Sequence, residues 1–108
     1  MVQYLLRRTR TNKQTTLPMA LSPENWVRDG AKAIDANNKI VGCVADIAVR
    51  FSILGLIQRN YGYAPYIKGI YYRALLAHKL PVDRPDSEIT IEQANQVLST
   101  FETLRKQS

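Results

Sequence analysis

The fold is decided by the last helical stretch of the chain, Thr90 to Lys106, which reads TIEQANQVLSTFETLRK. Thr90 and Gln93 fit a capping box, in which each side chain accepts a hydrogen bond from the backbone N–H of the other residue. Apolar side chains recur every three or four residues and form one stripe, made up of Ile91, Ala94, Val97, Leu98, Phe101 and Leu104. The pattern predicts a helix over residues 91–106 that turns this stripe towards a core.

Two further helices are predicted upstream. The first of these runs from Pro65 to Leu80, and its apolar face is made up of Ile67, Ile70, Tyr71, Ala74 and Leu75. The second runs from Ala45 to Asn60 and is apolar around most of its circumference, which is typical of a central, buried helix. Gly55 lies in its middle, where glycine costs about 1 kcal/mol relative to alanine. A close crossing by another segment would explain that cost.

The pattern of residues 31–41 predicts a β-hairpin. The runs Lys32-Ala33-Ile34 and Lys39-Ile40-Val41 flank residues 35–38, which read DANN. Asn and Asp tolerate the positive φ that a tight turn requires. We therefore expect the two runs to pair as antiparallel strands.

The N-terminal part of the chain adds a short helical turn and a basic arm. Ser22-Pro23-Glu24 is typical of a helix start, and Asp29-Gly30 ends it after a turn or two that sets Trp26 against the core. Four cations and no acid occur in residues 1–16, whereas the rest of the chain holds 11 basic and 9 acidic side chains. We expect a basic arm over residues 1–16 and a single compact domain over residues 17–108. The fold class is α+β, mainly α, with three main helices and a short β-hairpin.

The side chains that usually carry catalysis are few and isolated. One cysteine, Cys43, and one histidine, His78, cannot supply the three or four ligands of a zinc site. We interpret Cys43 as a buried structural residue, His78 as a helix cap, and Asp83, Asp86 and Glu88 as members of a solvated loop. Each of the 5 glycines is isolated, so the sequence contains no phosphate-binding loop. We therefore predict no catalytic residue, no metal site and no cofactor, and a protein that is not an enzyme.

The sequence also predicts where the protein works. It contains no run of about 18 apolar residues, and its N-terminus lacks the apolar segment of a secretory signal. We expect no membrane contact and a cytoplasmic location. The oligomeric state does not follow from these patterns.

Two groups of side chains remain as candidates for binding. The basic arm, with Arg7, Arg8, Arg10 and Lys13, fits contacts to phosphates, docking on an acidic protein, or a merely solubilising tail. The second group lies in and around the segment from Arg59 to Arg73 and is rich in Tyr and Arg, which are enriched at protein interfaces. Aromatic rings beside cations also suit the stacking of nucleic-acid bases. A plainer alternative is that these tyrosines cover the rim of the core. The protein-interaction candidates are Arg59, Tyr61, Tyr63, Tyr66, Lys68, Tyr72 and Arg73.

A loose pattern crosses the middle of the chain, in Trp26, Gly30-Ala31, Ile34-Asp35, Asn38 and Leu54-Gly55-Leu56, and ends in a helix after an acidic loop. Over residues 20–104 this pattern resembles a family of small bacterial and phage-encoded domains of unknown function. The chain departs from the family where Asn38 replaces a usual glycine and where Ser52 and Leu56 replace a frequent cysteine and alanine. The resemblance implies a helical domain with a hairpin and a phage, prophage or mobile-element origin, and it implies no activity.

The sequence thus favours a non-enzymatic binding or accessory protein of phage or mobile-element origin. We expect it to dock on a host protein complex, and inhibition of host defence would be one form of that role by analogy. The alternative is a small nucleic-acid-binding module that uses the basic N-terminal arm. Nucleic-acid binding would weaken steeply with added salt, whereas a tyrosine-rich protein interface would change little.

Overall fold

The computed structural model describes residues 17–28, 30–82 and 86–107. These residues form an α+β fold that is mainly α, as the sequence predicts. Three helices, α1 (Ile53–Tyr61), α2 (Pro65–Ala77) and α3 (Ile91–Gln107), accompany two short strands, β1 (Ala33–Ile34) and β2 (Arg50–Phe51). The predicted basic arm, residues 1–16, lies outside the described residues. No helix in the described part of the chain has the length and apolar character needed to cross a bilayer.

Helix α3 forms as its capping signal predicts. The N–H of Thr90 donates to Gln93 Oε1 at 2.9 Å, and the N–H of Gln93 donates to Thr90 Oγ1 at 3.1 Å. Its fully buried stripe is made up of Ala94, Val97, Leu98 and Phe101. The stripe packs against the buried face of α2, and this pairing is the most extensive between any two elements. The two longest helices therefore enclose the core.

Helix α2 ends at Ala77 rather than at Leu80, because the chain turns left-handed at Lys79, whose φ is 58°. The N–H of Leu80 donates to the carbonyl of Leu75 at 3.0 Å, and that of Lys79 donates to Leu76 at 2.9 Å. These two bonds make a Schellman motif. His78 is the C-cap residue through its backbone N–H, whereas its side chain contacts α3 instead of a helix carbonyl, with Nε2 2.7 Å from Thr100 Oγ1.

The prediction that a helix begins at Ala45 is wrong. Helix α1 begins only at Ile53, after an N-cap by Ser52, whose Oγ accepts from the N–H of Gly55 at 2.9 Å. The preceding residues are used differently, because Arg50–Phe51 pairs with the distant Ala33–Ile34 as an antiparallel strand. This pairing supplies backbone partners that the local pattern does not reveal.

The predicted hairpin is present and is one part of a slightly larger sheet. Ile34 pairs with Ile40 in an antiparallel bridge, and Asn38 adopts the expected positive φ of 65° in the turn. On its other side β1 pairs with β2, so that Ile34 lies opposite Arg50. Beyond β2, Trp26 forms a parallel bridge with Phe51. Four short segments therefore lie side by side.

Gly55 confirms the close crossing that its position in the sequence predicts. A Cβ placed on it would lie 1.9 Å from the carbonyl oxygen of Lys32, which passes directly over the first turn of α1. The same carbonyl accepts a bond from the N–H of Ser52 at 3.0 Å. Only glycine leaves room for this approach of the Lys32 carbonyl to α1, which explains why a glycine occupies the first turn of the helix.

The predicted helical turn near Ser22 is a single hydrogen-bonded turn, closed by the N–H of Asn25 donating to the carbonyl of Ser22 at 3.1 Å. It delivers Trp26, partly buried, against the core. The indole Nε1–H of Trp26 donates to Asp86 Oδ2 at 2.7 Å, and the N–H of Ile53 donates to the same oxygen at 3.0 Å. Asp86 therefore joins this turn to the start of α1.

Asp86 contradicts the interpretation of its loop as solvated, because its side chain is buried. Burial raises the pKa of this carboxyl group, while the hydrogen bonds from Trp26 and Ile53 and the charge of Arg28 act in the opposite direction. Glu88 is exposed as expected. Asp83 lies outside the described residues. The carboxylate is buried because it accepts two N–H groups that would otherwise lack an acceptor.

Candidate protein-interaction surface

The structure divides the seven protein-interaction candidates into residues that hold the fold together and residues that face solvent. Arg59 belongs to the first group. Its Nη1 donates to the carbonyls of Cys43 and Ala45 at 3.1 and 3.0 Å, and its guanidinium lies 5.7 Å from the centre of the Phe51 ring. Arg59 thus attaches the turn before β2 to the end of α1. Its Nη1 is used in this internal contact, and its Nε is buried without a hydrogen-bond partner among the described residues.

Tyr61 also belongs to the internal group. Its hydroxyl donates to the carboxylate of Glu102, and its ring lies 5.5 Å from that of Phe101, centre to centre. The guanidinium of Arg105 covers the same ring at 4.6 Å and forms an ion pair with Glu102 at 3.2 Å. Burial, and then the bond to Glu102, raise the pKa of Tyr61. This cluster joins α1 to α3.

Tyr63 is intermediate between the two groups. Its ring is exposed, but its hydroxyl lies 2.9 Å from the Sγ of buried Cys43. The hydrogen bond to Cys43, followed by burial of the hydroxyl, raises the pKa of Tyr63 to about 12. Cys43 is buried as predicted. The bond holds the Tyr63 side chain against the protein and limits its freedom to meet a partner.

The remaining four candidates lie on one exposed side of α2. Tyr66 is 65% exposed and Tyr72 is 37% exposed, and Lys68 and Arg73 are exposed with them. The Lys68 ammonium lies 5.8 Å from the centre of the Tyr72 ring. We call this surface the α2 outer face, and its members are Tyr66, Lys68, Gly69, Tyr72, Arg73 and Leu76.

Two members of the α2 outer face, Leu76 and Gly69, were not among the sequence candidates. Leu76 is 64% exposed, although leucine is usually found inside a protein. It follows Gly69 and Tyr72 at the spacing i, i+3, i+7, so the three lie on one line along the helix. The signal was present in the sequence, because Leu76 falls outside the buried face that ends at Leu75.

Gly69 differs from Gly55 in one respect that matters for function. A Cβ at Gly69 would meet no atom of the described residues within 4 Å, so no described neighbour requires glycine there. Glycine in an exposed helix interior nevertheless costs about 1 kcal/mol relative to alanine. Its effect is a flat gap between the side chains of Tyr66, Tyr72 and Leu76, where another backbone has room to approach.

The charge of the α2 outer face has a single sign. Lys68 and Arg73 are its charged members, and no Asp or Glu occurs anywhere from Ile47 to Val82. Helix α2 therefore presents cations beside aromatic and aliphatic surface, without a carboxylate on the same helix to neutralise them. The exposed side of α2 is therefore cationic and partly apolar.

The described side chains that could take part in catalysis or bind a metal ion do not lie together in one site. The Sγ of Cys43 contacts Tyr63, and the imidazole of His78 contacts Thr100. Within residues 17–28, 30–82 and 86–107, no three His, Cys, Asp or Glu side chains are grouped so that they could hold a metal ion. The nucleic-acid candidates Arg7, Arg8, Arg10 and Lys13 lie outside the described residues. Comparison with family models, curated proteins and solved structures gave no match to this chain.

Proposed function

We propose that this chain is a non-enzymatic binding protein that docks on a protein partner through the α2 outer face. The observation that carries the proposal is Gly69, which weakens an exposed helix although no residue in the described part of the chain packs close enough to require a glycine. A partner that approaches closely at this position would account for the glycine. Tyr66, Tyr72 and Leu76 surround the gap and supply the apolar contact area.

The proposed partner presents an apolar surface with carboxylates at its edge. Tyrosine and arginine are enriched in interface hot spots, because they combine contact area with hydrogen bonding or charge. Lys68 and Arg73 would pair with carboxylates at the rim, which favours the rate and specificity of docking more than its strength. An accessory protein of phage or mobile-element origin that docks on a host complex, including one that inhibits host defence, fits this mode. That origin rests on the sequence resemblance alone.

Affinity capture from a nuclease-treated bacterial lysate tests the proposal through paired surface variants. The interface pair is Tyr66→Ser with Leu76→Ser, and the charge pair is Lys68→Glu with Arg73→Glu. The matched control is Ile47→Ser with Val82→Ser, since both of these residues are exposed and apolar but lie outside α2. We expect the wild-type chain and the control to retain the same protein, and both α2 pairs to lose it.

A chain that lacks residues 1–13 separates this function from the alternative one. Binding through the α2 outer face should survive the deletion and should change little between low and high salt. If capture is retained by both α2 pairs, the α2 outer face is not the docking surface. If capture disappears with the deletion, with nuclease or with added salt, the basic arm and nucleic acid explain the binding instead.

A further inference from the structure

The exposed side of α2 carries apolar residues at the spacing of a coiled-coil seam. Its outermost line is formed by Pro65, Gly69, Tyr72 and Leu76, which follow one another at intervals of four, three and four residues. All four are exposed, and Leu76 keeps 64% of its surface in contact with solvent. Alternating steps of three and four residues are the heptad spacing of a and d positions, along which one helix packs on another.

Helix α2 is therefore apolar on two opposite sides. Its inner side is buried within the described fold and consists of Ile67, Ile70, Tyr71, Ala74 and Leu75. A helix that buries only one side normally shows polar and charged residues on the other. The second apolar line thus indicates a further neighbour on the outside of α2.

Two cations flank the outer line on opposite sides. Lys68 directly precedes Gly69 and Arg73 directly follows Tyr72, so the two cations take the g and e positions of the heptad. In helix pairs, charged residues at these positions form ion pairs with the partner helix and determine which partner is accepted. Both flanks of α2 are positive, and the helix contains no Asp or Glu. This charge pattern selects a partner helix with carboxylates on its own flanks.

The same charges disfavour a second copy of this chain as the occupant. When two α2 helices pair, the flank of one meets a flank of the other, whether they run parallel or antiparallel. Lys68 and Arg73 would then face the cations of the other copy, and like charges across an interface are unfavourable. The occupant is therefore a helix of a different protein.

Gly69 sets the distance between the two helices. It lies at the centre of the outer line, and a Cβ there would meet no described atom within 4 Å. The axes of packed helices lie about 8 to 10 Å apart, depending on the side chains at the contact. Because Gly69 has no side chain, a helix that crosses here can approach at the lower end of this range, between Tyr66 and Tyr72.

We propose that the α2 outer face binds an amphipathic helix of a partner protein, packed lengthwise along α2, with apolar residues at heptad spacing and carboxylates on both flanks. This inference rests on the proposed function and specifies the element that the partner contributes. The helix would cover the line from Pro65 to Leu76, and its carboxylates would pair with Lys68 and Arg73. Helix α2 has 13 residues and is about 20 Å long, so the contact spans less than two full heptads. An isolated helix would therefore bind with modest affinity.

NMR titration of the full chain with a designed helical peptide tests this inference, because it detects weak binding residue by residue. The probe is a blocked peptide of about three heptads with Leu at a and d and Glu at e and g, whose like-charged flanks keep it from pairing with itself. One comparison probe has Lys in place of Glu. The other has the same composition as the acidic probe in a shuffled order that lacks the heptad spacing.

We expect the acidic heptad peptide to shift the backbone amide signals of residues 65–77 in a saturable manner and to gain helicity in circular dichroism when it binds. The lysine peptide should leave these signals unchanged, because its flanks repel Lys68 and Arg73. The shuffled peptide should bind at least about tenfold more weakly, because its apolar residues cannot form one stripe.

Charge reversal makes the assignment specific. Lys68→Glu with Arg73→Glu should lose the acidic peptide and bind the lysine peptide instead, an exchange of preference that a merely damaged surface would not produce. Leu76→Ser should weaken the acidic peptide by about tenfold. The matched control is Lys39→Glu with Arg50→Glu, which reverses two exposed cations outside α2 and should leave the preference unchanged.

Three results would overturn the inference. The first is the absence of any response of the α2 amides to the acidic heptad peptide up to millimolar concentration. The second is equal affinity for the shuffled peptide, which would show that helical spacing is not recognised. The third is a larger response of the same amides to a single-stranded oligothymidine, lost at high salt, which would assign the surface to nucleic acid.

Failure of this inference is distinguishable from failure of the proposed function. Loss of protein capture in the α2 pairs, together with no response to the acidic peptide, would keep the α2 outer face as the docking surface and reject only the helical partner. Retention of capture by both α2 pairs would reject the docking surface itself.

Discussion

Replacement of Gly69 by alanine should make this protein more stable and a poorer binder. The new methyl group would meet no atom within 4 Å among residues 17–28, 30–82 and 86–107, so it introduces no strain there. Alanine in an exposed helix interior is favoured over glycine by up to about 1 kcal/mol. For a chain of this length that gain corresponds to a rise of roughly 4–8 °C in the midpoint of thermal unfolding.

Gly55→Ala is the matched control, because it makes the same chemical change in another helix of the same chain. Here the methyl group would lie 1.9 Å from the carbonyl oxygen of Lys32, which belongs to the backbone and cannot rotate away. We expect a loss of about 3 kcal/mol in the free energy of unfolding, at the upper end of the usual cost of overpacking. The two variants should therefore move stability in opposite directions.

Urea denaturation of the wild type and both variants measures these changes, provided that the slopes of the transitions agree. Partner capture by Gly69→Ala is the second readout, and we expect at least about a tenfold loss if a partner backbone packs on this position. A Gly69→Ala protein that is less stable than the wild type would refute the structural part of the reasoning. A stabilised protein with unchanged capture would refute its functional part.

Three further changes test other parts of the structure. Lys79→Gly should stabilise the protein by about 1 kcal/mol in urea denaturation, because Lys79 holds the left-handed C′ position of α2, and a loss of stability would contradict this assignment. Asp86→Ala should cost about 2–4 kcal/mol, because two N–H groups lose their acceptor, whereas Asp86→Asn should cost less. Burial raises the folded-state pKa of Asp86, so the contribution of this side chain to stability is greatest below about pH 4 and is lost as pH rises through that pKa. The free energy of unfolding of the wild type relative to Asp86→Asn should therefore fall with rising pH. An increase with pH would be evidence against this prediction. Cys43→Ala should lower the pKa of Tyr63 from about 12 towards 10, as followed by NMR of the tyrosine rings, and an unchanged pKa would exclude the Sγ–hydroxyl bond as its cause.

Local signals predicted the elements that depend on neighbours in the chain. Helix α3 begins at its capping box, because the bonds between Thr90 and Gln93 involve residues only three positions apart. The turn with positive φ at Asn38 follows in the same way from residue type. The buried face of α2, with Tyr71 inside and Tyr66 and Tyr72 outside, follows from the helical period alone.

The start of α1 could not be read from the same kind of pattern. Residues 45–52 place Ala48 and Phe51 at helical spacing ahead of the true helix, but Arg50–Phe51 pairs with Ala33–Ile34, which is distant in sequence. Periodicity does not distinguish a short buried strand from the beginning of a buried helix. The burial of Asp86 could not be predicted from local sequence either, because its two hydrogen-bond donors come from the distant residues 26 and 53.

The protein-interaction candidates were also predicted in part from the sequence and in part only from the structure. Tyrosines and cations near α2 were evident in the sequence, but only the structure separates Arg59 and Tyr61, whose polar groups bond inside the fold, from Tyr66 and Tyr72.

The sequence by itself determined the three-helix, mainly α composition, the turn of the hairpin and the buried face of each of the two longest helices. Those features follow from interactions between residues a few positions apart, which any chain with this local order would form. Tertiary structure alone decided that Arg50–Phe51 is a strand, that the Asp86 carboxylate is buried, and that polar groups of Arg59 and Tyr61 bond inside the fold. The physical reason is that each of these outcomes depends on a hydrogen-bond partner contributed by a distant part of the chain, and local periodicity carries no information about that partner.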